Sequence, residues 1–378
     1  MGHHSRFVAA GALTALAGLA LLGLSPAPAG AQMKSASWLT TNFQARTHYS
    51  TPRSDSMKYR LYIPAGYNPA QKYPIVIALH GIGERGYDNS IQLTREELAQ
   101  PWVRDSVQAK HPHFVMVPQC PTNQLWWPSG TWSGTRSKPN IMITEALDSL
   151  KRAYSLDTTR FYVVGLSMGG FGTIELMKWR PELWAAAIPT AGGGDTGVAA
   201  VPALVQTPMW AFHSLKDPTV SATRGSRWIA TKIENAGKRV VRFASDSGRT
   251  NIVPFDSSRP ETLVSLDSLR KEVYVYGANF LYSEVRNYPG SGNPLHQAGW
   301  WEAWRHPMVT DWLFSKRKVN GVTVVSIAAE AATAAHRPLA PQGVRVVFRD
   351  GRTLLEKSLD GQKALYTLEG KRVAEVGR

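Results

Sequence analysis

The sequence predicts an α/β fold: a mostly parallel sheet flanked by helices, with a small β-rich appendage at the C-terminus. Three observations support this prediction. Apolar segments alternate with helical segments between residues 58 and 318, the order expected when parallel strands are joined by crossover helices. One apolar segment ends in a Gly-x-Ser-x-Gly turn. Residues 344–378 contain short alternating segments separated by Asp-Gly and Glu-Gly pairs, which are typical of β-hairpins.

The first residues predict a signal peptide. Arg6 precedes an apolar segment, Phe7–Leu24, and a Pro- and Ala-rich stretch ends in an Ala-x-Ala site at Ala31. This order predicts cleavage after residue 31, and we expect a secreted, periplasmic or cell-surface protein. The apolar segment is long enough that an uncleaved membrane anchor is the alternative. Cys120 is the single cysteine, so no internal disulfide is expected.

The composition favours a large globular domain. Hydrophobic residues make up 43% of the chain and charged residues 19%, which excludes a disordered polyelectrolyte. The net charge of +15 is spread thinly. The short basic run at 315–318 is interpreted as a solvated helix end, and no nucleic-acid partner is expected.

Along the chain, residues 32–57 are polar and are predicted to form an irregular N-terminal approach segment, before the main domain at 58–318. Residues 243–280 interrupt the alternation and are interpreted as an insertion before the last strand. Residues 319–343 predict a linker, and 344–378 a small β-rich module. The predicted strands lie at 59–64, 74–81, 113–120, 160–165, 184–193, 208–214 and 281–289, and the predicted helices at 143–154, 171–180 and 224–237.

The turn Gly165-Leu-Ser167-Met-Gly169 lies between a predicted strand and a predicted helix. This context is that of a nucleophile elbow, which presents a serine hydroxyl at the carboxyl edge of the sheet. Ser167 is therefore the candidate nucleophile. The alternative is a packing turn with an incidental serine.

A serine hydroxyl needs a base, and in this fold the acid and the histidine follow the serine in that order. Asp217 lies just beyond a predicted strand, and Asp195 is the second choice. His296 lies in a predicted glycine-rich loop after the last strand and is the candidate base. His306, at a helix end, is an alternative base, and His213, inside a strand, is interpreted as a core or supporting residue.

An oxyanion hole requires two backbone N–H donors. Met168, which follows the serine, is one candidate. The loop after residue 80 supplies the other, from Gly81 or Ile82, and the sequence does not choose between them. His80 belongs to this loop.

Tryptophans cluster near the predicted site. We expect about half of them to be core residues. Trp126, Trp127 and Trp300 are candidates for an aromatic wall that binds substrate. No His-x-x-x-His or paired-cysteine spacing occurs, so neither a metal nor an organic cofactor is expected.

Several motifs carry a family resemblance over roughly residues 58–318: "LHGIGERGYDN", "VPQCPTNQLWW", "YVVGLSMGGFGT" and "TPMWAFHSLKDPTV". Together they resemble the secreted α/β-hydrolase esterases that include predicted peptidases and polyhydroxybutyrate-depolymerase-like enzymes. The resemblance implies an α/β-hydrolase fold, a triad of Ser167, Asp217 and His296, and carboxylesterase activity on small or aryl esters. Two departures are the sequence "GSGNPLHQAGW" around the histidine and the long segment between Asp217 and His296.

The expected function is therefore that of a secreted serine carboxylesterase acting on a small-molecule or polymeric ester through an acyl-enzyme. A polyester depolymerase, a feruloyl or acetyl-sugar esterase and a serine peptidase are alternatives that use the same triad. A non-enzymatic binding protein is the last alternative. The tail segment "LYTLEGKRVAEV" loosely resembles a C-terminal sorting module, which would imply contact with export machinery. A carbohydrate-binding or stabilising appendage is the other interpretation.

Overall fold

The structure is a computed structural model of the 378-residue chain. It describes residues 33–128, 135–195, 197, 200–246, 251–254, 269–286, 288, 291–306, 308–325, 344–349, 352–359, 362–366 and 372–376. The predicted signal peptide, residues 326–343 of the predicted linker and residues 255–268 of the predicted insertion lie outside these ranges.

A ten-stranded sheet forms the centre of the main domain, in the order β1-β2-β4-β3-β5-β6-β7-β10-β8-β9. The strands from β4 to β8 in this order pair in parallel. The pairs β1–β2, β2–β4 and β8–β9 are antiparallel. The strands are β1 Phe43–Ser50, β2 Asp55–Tyr62, β3 Tyr73–Leu79, β4 Phe114–Pro118, β5 Leu156–Leu166, β6 Trp184–Thr190, β7 Met209–Ser214, β8 Val240–Asp246, β9 Asn251–Pro254 and β10 Phe280–Val285.

Helices cover both faces of this sheet. The helices are α1 Ala36–Asn42, α2 Ile91–Thr94, α3 Asp105–Lys110, α4 Lys138–Ala153, α5 Met168–Trp179, α6 Val201–Leu204, α7 Ser226–Asn235, α8 Asn293–Arg305 and α9 Val309–Phe314, with 3-10 turns at Thr51–Arg53, Ile82–Glu84 and Gln100–Val103 and a π-helical turn at Lys271–Val275. One core cluster joins the sheet to α1, α8 and α9, and a second joins it to α4, α5 and α7.

The central strand β3 shows why both faces are needed. Its seven residues are all buried. Val76 and Ala78 belong to one core cluster, whereas Ile75, Ile77 and Leu79 belong to the other. Alternate side chains of a strand point to opposite faces, so an apolar run of this kind is stable only between two helical layers. The predicted α/β class, with its α/β-hydrolase arrangement, is confirmed.

The N-terminal segment differs from the prediction. Residues 32–57, predicted to be irregular, contain α1 and β1 and begin β2. β1 pairs along its whole length with β2 at the edge of the sheet. Only the two end residues of β1, Phe43 and Ser50, are buried, so the strand lacks the apolar residues by which a sequence pattern reveals a strand.

The predicted insertion also begins inside the sheet. Strand β8 pairs in parallel with β10, and β9 pairs with β8. Residues 243–246 and 251–254 are therefore sheet strands, and the π-helical turn precedes β10.

The C-terminal residues form a second, antiparallel sheet of six strands in sequential order. The strands are β11 Lys316–Val319, β12 Val322–Val325, β13 Val344–Arg349, β14 Arg352–Leu359, β15 Gln362–Tyr366 and β16 Arg372–Val376. The small sheet thus begins at residue 316. Strand β11 crosses the predicted domain boundary at 318, and β12 follows it within the predicted linker.

The basic run at 315–318 is not a solvated helix end, so that interpretation was wrong. Lys316 and Lys318 lie on β11 and are buried. The Lys316 ammonium donates to the carbonyls of Gly277 and Ala278 at 3.1 and 3.0 Å, and Lys318 donates to the Gln206 carbonyl. Alternate side chains of a strand point to the same face, so both lysines point inward. Backbone carbonyl oxygens accept hydrogen bonds from their ammonium groups.

Within the residues that the structure describes, no helix has the length and apolar character needed to cross a membrane.

Candidate active site

Ser167 lies at the junction of β5 and α5 and has a strained backbone. Its φ of +51° and ψ of −117° lie outside the usual regions for a residue with a side chain. Its N–H donates to the Thr190 carbonyl of the neighbouring strand at 3.0 Å. The strand–turn–helix context therefore holds the serine in a sharp turn at the carboxyl edge of the sheet, as the sequence predicts.

The two glycines of the motif allow this turn to pack closely. A Cβ on Gly165 would lie 2.2 Å from the Gly169 carbonyl oxygen, and a Cβ on Gly169 would lie 1.9 Å from the Leu79 carbonyl oxygen. Both neighbours are backbone atoms, which cannot rotate away. The motif is therefore fixed by contacts between main chains.

His296 lies between the serine and an aspartate. Its Nε2 is 2.9 Å from Ser167 Oγ, and its Nδ1 is 2.6 Å from Asp217 Oδ2. An ionised carboxylate can only accept, so Nδ1 carries the proton and Nε2 is free to accept the serine proton. This is the tautomer that a general base requires.

The structure places His296 on α8, not in a loop. Gly292, at φ +70°, ends the preceding turn, and Pro294 lies in the first turn of the helix, where its missing N–H is not needed. The glycines that predicted a loop therefore precede the helix, and the prediction of a loop was wrong.

Asp217 is buried, and four N–H donors lie within 3.3 Å of its carboxylate oxygens. Its Oδ1 accepts the N–H groups of Thr219 and Val220 at 2.8 and 2.9 Å. Its Oδ2 accepts from His296 and lies 3.3 Å from Nε2 of His213. Burial opposes ionisation, but the hydrogen bonds from His213, His296 and Val220 lower the pKa of Asp217 below its ordinary value. The carboxylate therefore stays ionised beside the imidazole.

The other candidate acids and bases do not join this group. Asp195 pairs with Lys178 at 2.7 Å. His306 ends α8, and its Nδ1 accepts the Met308 N–H at 3.3 Å. Burial lowers the pKa of His306 to about 4, which suits a neutral core histidine.

The loop after β3 contacts the serine. A Cβ on Gly81 would lie 3.7 Å from Ser167 Cβ and 3.0 Å from an oxygen of Glu84. His80 Nδ1 donates to the Gly81 carbonyl at 2.6 Å, and its Nε2 accepts the Cys120 N–H at 2.9 Å. Burial lowers the pKa of His80 to about 4, only partly opposed by its bond to Gly81. A neutral His80 therefore fixes the orientation of the Gly81 carbonyl.

Of the three tryptophans predicted to bind substrate, Trp126 and Trp300 are buried. Trp126 donates from Nε1 to the His80 carbonyl at 3.0 Å and packs against Gly172. Trp300 stands perpendicular to the His296 ring, with a centroid separation of 4.9 Å. Both rings are buried against residues of the site, so neither presents the exposed aromatic wall that the sequence predicts. Trp127 is only half-buried and packs against Phe171, so its role in substrate binding stays a prediction.

The sequence reasoning missed three contacts around the site. His213 touches Asp217, four residues later, and this spacing directly after a strand was the available signal. Glu84 is buried beside Gly81, and Arg95 lies 3.7 Å from its carboxylate. Gln297, next to His296, donates to Glu96 at 3.0 Å. No sequence pattern indicates the last two contacts. Within the ranges that the structure describes, no three His, Cys, Asp or Glu side chains form a metal-binding group.

Two curated proteins that act on esters are similar to part of this chain in sequence. A poly(3-hydroxyalkanoate) depolymerase C of Paucimonas lemoignei is 29% identical over 138 residues, which cover 35% of this chain and 30% of that protein. A bifunctional acetylxylan esterase/xylanase of Neocallimastix patriciarum is 26% identical over 165 residues, which cover 44% of this chain and 22% of that protein. The chain therefore spans less than a third of the length of either relative.

A solved structure of a thermostable esterase superposes with a TM-score of 0.58 at 29% identity, over 74% of this chain and 64% of that chain. The family model described as "Putative esterase" matches residues 50–312, a range that includes β2 to α8 and every residue of the site described above. The chain therefore belongs to this esterase family.

Proposed function

We propose that this protein hydrolyses carboxylic esters, with Ser167 as nucleophile, His296 as general base and Asp217 as the acid that orients the imidazole. The observation that carries the proposal is the unbroken hydrogen-bonded series from Ser167 Oγ through His296 to Asp217 Oδ2, at 2.9 and 2.6 Å. Family membership and the esterases among the relatives support the same reaction class.

The reaction has two steps. His296 Nε2 takes the hydroxyl proton as Ser167 Oγ attacks the ester carbonyl, and the resulting imidazolium gives that proton to the leaving alcohol. Water, deprotonated by the same nitrogen, then attacks the acyl-enzyme and releases the acid. Asp217 stabilises the imidazolium in both steps because its carboxylate remains ionised.

The developing oxyanion needs two donors, and the geometry favours Met168 and Ile82. Met168 is the first residue of α5, so its N–H has no acceptor within the helix. His80 holds the Gly81 carbonyl, and in a trans peptide the N–H of Ile82 points opposite to that carbonyl. Burial and Glu96 raise the pKa of the Glu84 carboxyl, and a hydrogen bond from the Gly81 N–H opposes this rise. The Gly81 N–H is therefore already engaged by Glu84. Of the two residues that the sequence left open, Ile82 is therefore the better candidate.

The natural ester lies within the classes that the relatives' names suggest, polyhydroxyalkanoates and acetylated xylan. We propose that the protein acts outside the cytoplasm on esters of this kind, after removal of the predicted signal peptide.

The test uses p-nitrophenyl acetate with Ser167→Ala and His296→Ala. We expect each variant to fold and to lose about a thousandfold or more in kcat. Release of acetate from acetylated xylan and clearing of a polyhydroxyalkanoate emulsion then separate the candidate substrates. Turnover in Ser167→Ala within tenfold of wild type would refute the proposed nucleophile. Cleavage of peptides but not of esters by the wild type would show a peptidase instead.

A further inference from the structure

A second histidine contacts the same carboxylate oxygen of the candidate acid as His296 does. His213 lies on β7, and its side chain is fully buried. Its Nε2 is 2.9 Å from the Val220 carbonyl and 3.3 Å from Asp217 Oδ2. Its Nδ1 is 2.8 Å from Ser226 Oγ, whose single proton is within reach of both this nitrogen and the Gly192 carbonyl oxygen, 3.1 Å from Oγ.

The proton on Nε2 of His213 follows from these partners. A backbone carbonyl and an ionised carboxylate can only accept hydrogen bonds, so Nε2 must donate. This nitrogen lies 2.9 Å from the Val220 carbonyl oxygen and 3.3 Å from Asp217 Oδ2, and the Ser226 hydroxyl lies 2.8 Å from the opposite nitrogen. The ring is thus fixed at both nitrogens and presents an N–H to the carboxylate.

The contacts of Asp217 show what this N–H contributes. Two backbone N–H groups bind Oδ1, from Thr219 and Val220. On Oδ2, only the two imidazoles are within hydrogen-bonding distance in the described residues. Without His213, the oxygen that meets His296 would be held by that bond alone. The χ2 torsion of an aspartate has a broad energy minimum, so a loosely held carboxylate can rotate and move Oδ2 away from His296.

We propose that His213 is a positioning residue for ester hydrolysis: it fixes Asp217 Oδ2 at the point where the oxygen meets Nδ1 of His296. The inference rests on the proposed function, because it acts through the same triad. The competing interpretation is a core histidine whose only role is to fill the space beneath α7.

His306 provides the matched control for this interpretation. It is buried, carries a hydrogen bond to backbone and packs against Trp210, as a core histidine does. It has no hydrogen bond to Asp217 or to His296 among the described contacts. Replacing it tests the cost of losing a buried imidazole without touching the triad.

The experiment measures kcat, KM and the unfolding midpoint for His213→Leu, His213→Gln and His306→Leu, each alone and combined with Asp217→Asn. We expect His213→Leu to lower kcat about 10- to 100-fold with KM changed less than threefold, since a displaced catalytic group is costly. His213→Gln, which keeps an N–H donor, should recover most of this loss. In the Asp217→Asn background, His213→Leu should cost less than twofold, because the group that it positions is already altered.

The outcomes separate the inference from the function on which it rests. If His213→Leu keeps kcat within twofold of wild type while Ser167→Ala is inactive, the positioning role is wrong and the ester hydrolase stands. An equal loss in both backgrounds, as expected for His306→Leu, would also overturn it. If Ser167→Ala is active, the proposed function itself fails. Should His213→Leu not fold, Ser226→Ala carries the same test: it frees Nδ1 and should lower kcat only when Asp217 is intact.

Discussion

Ser167 shows how a single residue depends on its neighbours' lack of side chains. Its positive φ costs about 1–3 kcal/mol for a residue of this kind, and the fold retains it because backbone contacts on both sides fix the turn. Gly169 makes the closest of these contacts, with the Leu79 carbonyl. A glycine is therefore required here because a side chain would clash with the Leu79 carbonyl, and not because the backbone has a positive φ.

Gly169→Ala tests this requirement. A methyl group 1.9 Å from a backbone oxygen forces β3 and α5 apart, so we expect a loss of at least about 3 kcal/mol in the free energy of unfolding. Urea denaturation measures the loss. Gly237→Ala is the control: this glycine has φ +78° and no atom within 4 Å of the added Cβ, so it should cost only about 1 kcal/mol. Equal costs for the two variants would show that the elbow is not sterically constrained.

At the residue scale, the sequence predicted the sharp turn at Ser167 because the motif is local. Strand, turn and helix follow one another between Leu156 and Trp179, and each glycine has a steric reason. Asp217 and His296 depended on chain order alone. For the contact of His213 with Asp217, the four-residue spacing at the end of the strand was the available signal, but the contact also requires the loop after β7 to fold back onto the strand.

At the scale of elements, the loop around Trp126 is bound to the loop after β3, which contains the candidate oxyanion-hole residues Gly81 and Ile82. The Trp126 ring packs against α5 at Gly172, and its N–H holds the carbonyl of His80. His80 in turn holds Gly81 and Cys120. This series joins the loop after β3, the loop after β4 and helix α5, so we expect Trp126 to influence every substrate equally.

Trp126→Phe tests this assignment. The variant keeps an aromatic ring but loses the hydrogen bond to His80, which should cost about 1 kcal/mol of stability. We expect kcat/KM to fall by the same factor, within about twofold, for p-nitrophenyl acetate, butyrate and ferulate. Trp127→Ala, which alters a half-buried ring, is the comparison and should affect these substrates unequally. A change of acyl preference in Trp126→Phe would return this residue to the substrate wall.

The errors at the element scale have a common physical cause. The sequence places Trp126 beside Trp127, yet only one of them is buried, because the space at Gly172 comes from a distant helix. The glycines before His296 predicted a loop, whereas Pro294 begins a helix directly after them. Burial and helix starts of this kind depend on tertiary contacts that no local pattern records.

At the scale of the whole molecule, β11 joins the main domain to the small sheet. The Tyr162 hydroxyl on β5 donates to the Lys316 carbonyl at 2.8 Å. The Lys316 ammonium reaches Gly277 and Ala278, just before β10. Within the described residues, the partners of the Lys316 ammonium are carbonyl oxygens. Burial lowers the pKa of Lys316 to about 7, which gives this junction a dependence on pH.

The sign of this dependence follows from proton binding. Between about pH 7 and the ordinary lysine pKa of 10.5, the unfolded chain holds a proton that folded Lys316 has lost, so stability rises with pH. We expect wild type to gain stability relative to Lys316→Met as the pH rises from 7 to 10, and to show a constant difference below pH 6. Chemical denaturation across this range measures it, with the exposed Lys72→Met as control. A constant difference up to pH 10 would contradict the buried-lysine account.

The sequence predicted the fold class and the order of the strands and helices better than it predicted the boundaries of the two sheets. An apolar strand such as β3 is recognised from a short stretch of sequence, whereas the edge strand β1 and the strand β11 are polar and give no such signal. A basic run is usually solvated, so the sequence predicts solvated side chains for Lys316 and Lys318. Their burial depends on carbonyls supplied by Gly277, Ala278 and Gln206, from distant parts of the chain.

The central claim is that Ser167 is activated by His296. Covalent labelling with a fluorophosphonate, followed by peptide mass spectrometry, tests it most directly because the reagent requires an activated serine. We predict one adduct on the peptide that contains Ser167, with labelling slowed about a thousandfold or more in His296→Ala. Wild-type protein that turns over p-nitrophenyl acetate yet carries its adduct on another residue, or that labels equally fast without His296, would contradict the account.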